Sequence, residues 1–150
     1  MAIWFHHGVA PADLNKGSSQ TMVGHLGIEF TAVGDDYLEA TMPVDKRTKQ
    51  PAGLLHGGAS VALAETMGSI GAFLCVDTAR YTVVGLEINA NHMRSVTDGV
   101  VCGVARPLHI GKRTHVWQIN IYSDSTKQHL ICVSRITMAV LERSAHGSSE

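Results

Sequence analysis

The spacing of apolar and polar residues changes period twice along the chain, and each change marks a new kind of element. In YLEATMPV, Leu38, Ala40, Met42 and Val44 alternate with Tyr37, Glu39 and Thr41, the period of two expected of a half-buried strand. The run before it, LGIEFTAVG, reads as a strand joined through Gly34-Asp35-Asp36, and PADLNK and SQTMVGHL form a short helical start. A polar loop, DKRTKQPAG, leads into residues 57–76, almost wholly apolar or small, which read as one long buried helix. Period two then returns. YTVVGLEINANH is expected to place Thr82, Val84, Leu86, Ile88 and Ala90 on one face, and GVVCGVARPL follows. THVWQINIY groups Trp117, Ile119 and Ile121, and HLICVSRITMAVL, apolar on both faces, reads as a central strand. Gly99, Gly111 and Asp124-Ser125-Thr126 mark turns, and residues 142–150 read as a frayed polar tail.

Two strands, one long helix and three or four further strands with short connections imply an antiparallel sheet. Such a sheet covers the helix on its concave face, an α+β architecture in a single domain spanning 1–150. The apolar stretch 57–76 is long enough to test as a membrane span, but Glu65 at its centre favours a helix inside a protein core. Net charge is −1 and no basic run occurs, so neither nucleic acid nor an anionic membrane is an expected partner. Cys75, Cys102 and Cys132 are dispersed in apolar settings, as reduced core thiols are. No secretory signal is visible at the N-terminus, and the expected location is cytoplasmic.

The candidate chemistry lies in residues 50–69, QPAGLLHGGASVALAETMGS. Glu65 sits in the most apolar helix, with no Lys or Arg between Gln50 and Ala79 to pair with it. Burying an unpaired charge costs several kcal/mol. Either Glu65 lines a solvent-facing seam, or it is a general base or nucleophile in a water-poor pocket. His56-Gly57-Gly58 stands at the helix start, where unpaired backbone N–H groups and the positive end of the helix dipole could hold an oxyanion. The alternative is a glycine-softened loop-to-helix turn. Gly57 and Glu65 are about 12 Å apart along one helix axis at 1.5 Å per residue. If both act on one carbonyl, two helices must pack antiparallel across a two-fold axis, giving a site shared between subunits. Gly57, Gly58, Ala59, Ala62, Ala64, Gly68, Ser69 and Gly71 are small enough for that approach. An α/β-hydrolase is excluded by the missing G-x-S-x-G elbow, and no H-E-x-x-H cluster supports a metal site.

LLHGGASVALAE, preceded by Gln50-Pro51, closely resembles the signature of hotdog-fold acyl-CoA thioesterases of the phenylacetate-degradation and hydroxybenzoyl-CoA type. The resemblance runs from about Trp4 to Val140. HLGIE, EATMPVDKRTKQP and VVGLEINANHMR resemble most the branch that holds dihydroxynaphthoyl-CoA hydrolases and the proofreading thioesterase of enterobactin synthesis. The resemblance implies a curved antiparallel sheet wrapped round the long helix, dimers with paired sheets, and a dimer of dimers. It implies Glu65 as general base or nucleophile and the Gly57 N–H as oxyanion donor. His56 and Gln50 would orient the carbonyl or the water, and Ser69 would help hold that water. CoA would lie across the subunit interface near Val84, Asn91, His92, Met93 and Arg94, and near Leu108, His109, Ile110, Gly111, Lys112 and Arg113. No cofactor is implied, CoA being part of the substrate. Three positions depart from the resemblance: Ala52 in place of Phe, which suggests a wider acyl pocket, Asn91, and Lys112 in place of Arg.

The expected activity is thioester hydrolysis of acyl- or aroyl-CoA, with a 1,4-dihydroxy-2-naphthoyl group as one candidate. A non-catalytic acyl-CoA binding module and a hotdog dehydratase are the alternatives. The His-Phe-Pro and Pro-Gly pattern of such dehydratases is missing.

Overall fold

The computed structural model describes residues 1–144; residues 145–150, the far part of the expected tail, lie outside it. The elements run α1 (Pro11–Asn15), a 3₁₀ turn, α2 (Met22–His25), β1 (Glu29–Val33), β2 (Leu38–Pro43), α3 (Gly57–Leu74), β3 (Tyr81–His92), β4 (Val100–Ile110), β5 (Thr114–Tyr122) and β6 (Leu130–Glu142). All strand pairs are antiparallel, in the spatial order β1-β2-β4-β5-β6-β3. The connection after β3 therefore crosses from one edge of the sheet towards its middle.

The sheet packs on one long helix because both present apolar faces that neither can bury alone. Leu63, Ala64 and Met67 of α3 meet Leu38, Ala40 and Met42 of β2 and Trp117, Ile119 and Ile121 of β5, all fully buried. The strict alternation in β2 and β5 fits this one-sided packing. Trp4 joins from the N-terminal segment, stacked on Trp117 at 6.0 Å, its indole N–H donating to the Gly34 carbonyl at 2.7 Å. Among the described residues no helix is long and apolar enough to cross a membrane.

Two boundaries and one register differ from the expectation. The helix ends at Leu74 rather than residue 76, where the Cys75 N–H turns back to the Ala72 carbonyl and the Phe5 and His6 amides take the Leu74 carbonyl. Strand β6 continues to Glu142, opposite Tyr81, and the Arg143 amide still reaches the Arg80 carbonyl, so Glu142 and Arg143 are not frayed. In β3 a bulge between Gly85 and Glu87 interrupts the register with β6. A bulge shifts side-chain parity by one. Val83 faces inward before it and Ile88 and Ala90 after it, while Val84 (42 % exposed) and Leu86 (62 %) do not join them. The single face expected for Thr82, Val84, Leu86, Ile88 and Ala90 is thereby split.

Candidate active site

Helix α3 is covered by the sheet on one side only. Its buried side includes Ala59, Ser60, Leu63, Ala64, Met67, Gly68, Gly71 and Ala72. Gly58, Val61, Ala62, Glu65, Thr66 and Ser69, at spacings of three and four, form the opposite stripe, exposed or half-buried. Several small residues thus serve the sheet rather than a second helix. A Cβ on Gly68 would lie 2.3 Å from Ile136 Cγ2, and one on Gly71 would lie 2.9 Å from the Trp117 ring. Gly58, Ala62 and Ser69 are the small residues that this geometry leaves on the open stripe for a neighbouring helix.

Glu65 stands in the middle of the outer stripe, half-buried. The five salt bridges found among the described residues leave it unpaired. A central position on α3 also keeps it clear of either helix end, so the dipole does not stabilise it. Its carboxylate reaches towards β3: a Cβ on Gly85 would lie 2.8 Å from Glu65 Oε1. Bulge and glycine together make room for the carboxylate against that strand. On its other side Glu65 borders an apolar cavity of about 300 Å³, walled by Met22, Val23, Leu26 and Ile28 with Gly58, Val61, Ala62 and Thr66. Ser69, one turn on, is half-buried with its hydroxyl 4.0 Å from the Met138 sulfur.

The start of α3 forms a second locus. The Ala59 and Ser60 amides return to the His56 carbonyl, and the Gly58 amide donates to His56 Nδ1 at 2.8 Å. His56 is therefore the helix cap. The Gly57 N–H is left as the open donor of that first turn among the described residues, aligned with the helix dipole. His92 packs against the α-carbon side of Gly57, with Nε2 2.9 Å from where a Gly57 Cβ would stand. A cleft of about 400 Å³ here is lined by Gln50, Leu54, Leu55, Gly57, Ser60, His92, Met93, Arg94, Ser95 and Ile131. The Gln50 carboxamide oxygen accepts from the Ala52 amide, and Ala52, exposed, walls neither this cleft nor the cavity beside Glu65. Asn91 is exposed at the end of β3.

The remaining candidates lie elsewhere. Leu108, His109 and Ile110 are exposed at the end of β4, and Gly111, Lys112 and Arg113 form the turn into β5. Ile110 to Arg113 border a cleft of about 940 Å³ with Cys75, Arg80, Tyr81 and His115, beyond the C-terminal end of α3. His115 is buried there, and burial, helped by the neighbouring His109, holds its pKa below the ordinary value. Val84 sits on the outermost strand between the two clefts. One chain therefore gathers Gln50, His56, Gly57, His92, Met93 and Arg94 at one end of α3, Glu65 and Ser69 at its middle, and the 110–113 turn at the other.

Burial pushes all three cysteine thiols up, Cys75 to about 12, which suits inert core residues. The wall built by α2 and the role of Gly85 are additions to the expected site. A lone glycine inside a strand pattern is the signal that could have pointed to Gly85.

A model of the Thioesterase superfamily matches residues 52–129, the segment holding His56, Gly57, Glu65 and Ser69. The chain is 58% identical over 128 residues to a 1,4-dihydroxy-2-naphthoyl-CoA hydrolase of Escherichia coli, covering 85% of this chain and 92% of that one. It is 52% identical over 139 residues to a proofreading thioesterase of Cronobacter turicensis, covering 93% and 98%. Among solved structures, a mutant thioesterase of Pseudomonas aeruginosa superposes with a TM-score of 0.90 at 46% identity, covering 95% of this chain and all of that one. A thioesterase of Haemophilus influenzae gives 0.89 at 48% identity, covering 97% and 99%. The chain belongs to the thioesterase superfamily, as a thioester hydrolase of the hotdog fold.

Proposed function

We propose that this protein hydrolyses acyl- or aroyl-CoA thioesters, with Glu65 as the group that activates water or attacks the carbonyl itself. The observation that carries this reading is the placement of Glu65: unpaired, beside an apolar cavity, on the face of α3 that the sheet leaves open. As a base, Glu65 takes a proton from water while the water oxygen bonds to the thioester carbon. As a nucleophile, its oxygen makes that bond and water then cleaves the anhydride. In either course the carbonyl oxygen gains negative charge, the Gly57 N–H stabilises it, and the C–S bond breaks to release CoA thiol and free acid. His56, Gln50 and Ser69 orient the carbonyl and the water.

A single chain separates Gly57 from Glu65, and the unpaired outer edge of β3 supports a pairing of two chains that would reunite them. The strand is twelve residues long, lies at the end of the sheet and exposes Val84 and Leu86. Long apolar edges of this kind call for a partner strand. Antiparallel pairing of two such edges about their middle sets His92 opposite Tyr81 of the partner subunit. The helix-start cleft then adjoins the partner's Lys112 and Arg113, cations suited to the phosphates of CoA. The same pairing brings two α3 helices side by side, the middle of one near the start of the other. The working unit is a dimer at least, with a dimer of dimers as the full assembly, in the cytoplasm. A 1,4-dihydroxy-2-naphthoyl thioester, the substrate named for the Escherichia coli relative, is the first candidate substrate.

The test is thiol release from a panel of acyl- and aroyl-CoAs by wild type, Glu65→Gln and Glu65→Asp. Wild-type turnover that falls by at least ~10² in Glu65→Gln is the expected result. Binding of the esters with no turnover by wild type would leave a binding module instead.

A further inference from the structure

We infer that the acyl part of the substrate lies in the cavity between α2 and α3, and that Met22 and Val23 set the size of acyl group accepted. The inference rests on the proposed hydrolysis at Glu65. A thioester carbonyl within reach of Glu65 must project its acyl group into space beside that residue. The β3 side is closed, because even a Cβ added at Gly85 would lie 2.8 Å from Oε1. The sheet side is closed by Leu63, Ala64 and Met67, all with zero exposure. The cavity under α2 is open and has Glu65 in its wall.

Size and chemistry fit the acyl group rather than the carrier. At about 300 Å³ the cavity is at the small end of ligand pockets. A nucleotide-bearing CoA would not enter it, whereas an aromatic ring or medium alkyl chain would. Met22, Val23, Leu26, Ile28, Val61 and Ala62 offer no hydrogen bonds from their side chains. The Thr66 hydroxyl is already committed to the Ala62 carbonyl at 2.7 Å. An acyl group rich in charge would therefore be desolvated without compensation. Met22 is 66% exposed at the cavity rim, where an unbranched thioether can adapt to different occupants. Val23 is half-buried behind it and packs against the core.

The experiment compares kcat/KM for acetyl-, octanoyl- and benzoyl-CoA in wild type, Val23→Phe, Met22→Trp and Met22→Ala. Val23→Phe fills the cavity and is expected to lower octanoyl- and benzoyl-CoA turnover at least about tenfold relative to acetyl-CoA. Met22→Trp, at an exposed position that tolerates bulk, should do the same if Val23→Phe fails to fold, and Met22→Ala should shift preference towards larger groups. Substrate ratios that stay within about twofold of wild type in every folded variant would overturn the inference. A second readout uses [methyl-¹³C]methionine in Glu65→Gln protein. The Met22 methyl signal is expected to move on adding benzoyl-CoA and to stay in place with CoA alone; a signal unmoved by saturating benzoyl-CoA would also overturn it. Free benzoate formed in that sample at close to the wild-type rate would show that Glu65 is dispensable, a failure of the proposed function distinct from failure of the cavity.

Discussion

On the sheet face of α3, Leu63, Ala64 and Met67 are fully buried, and Gly68 and Gly71 let Ile136 and Trp117 approach the helix backbone. On the opposite face, where Gly58, Val61 and Ala62 alternate with Thr66 and Ser69, Glu65 is half-buried and unpaired beside a cavity. The first face is filled to contact and has no room for a ligand. The second keeps space, an unpaired charge and a short covering helix. One face of the helix is thus packed for stability, and the other, polar at half its positions, is left for the proposed chemistry.

Substitutions on the two faces should separate those properties. Leu63→Ala is expected to destabilise the fold by about 2–5 kcal/mol, since the buried site cannot collapse freely. Denaturant unfolding reads that loss, and the same measurement on Glu65→Gln should stay within about 0.5 kcal/mol of wild type. A large loss from both would erase the division. Gly85→Ala adds a methyl group 2.8 Å from Glu65 Oε1 and only in ordinary contact, at 4.0 Å, with the Met138 sulfur. It is expected to lower kcat about tenfold, equivalent to about 1.4 kcal/mol of barrier, with the melting temperature little changed. Unaltered kcat would show that the carboxylate does not depend on that strand.

A smaller effect comes from His115, under the far end of α3. Burial holds its folded pKa below the ordinary 6.5, so the unfolded chain binds the proton more readily. Its contribution is complete above the unfolded value and is lost as pH falls through 6.5 towards the folded value. Stability curves across that window should flatten in His115→Phe, and an unchanged slope would assign the acid sensitivity elsewhere.

Much of this division was legible in the sequence. The alternation of Leu38, Ala40, Met42 and Val44 and the grouping of Trp117, Ile119 and Ile121 specify sheet faces, because period two leaves little choice of side. Glu65 stood out because a lone charge in an apolar helix needs a reason. The strand order stayed hidden, since hydrophobic period says which face is buried but not which strand is the neighbour. The bulge at Gly85 defeated the single-face reading of β3, although its glycine was a visible sign. The cavity under α2 was hidden for another reason: Met22, Val23 and Leu26 look like ordinary packing residues until the helix beside them leaves a gap.

The central claim is that Glu65 of one subunit and the Gly57 amide of its neighbour act on one carbonyl. Co-expression of Glu65→Gln and Gly57→Val subunits under two affinity tags tests it, the valine crowding the donor site against His92. Each variant alone should be inactive. Random pairing should recover about a quarter of wild-type thiol release, because half the dimers are mixed and each holds one intact site of two. Purified mixed dimers that remain as inactive as either parent would contradict a site shared between subunits.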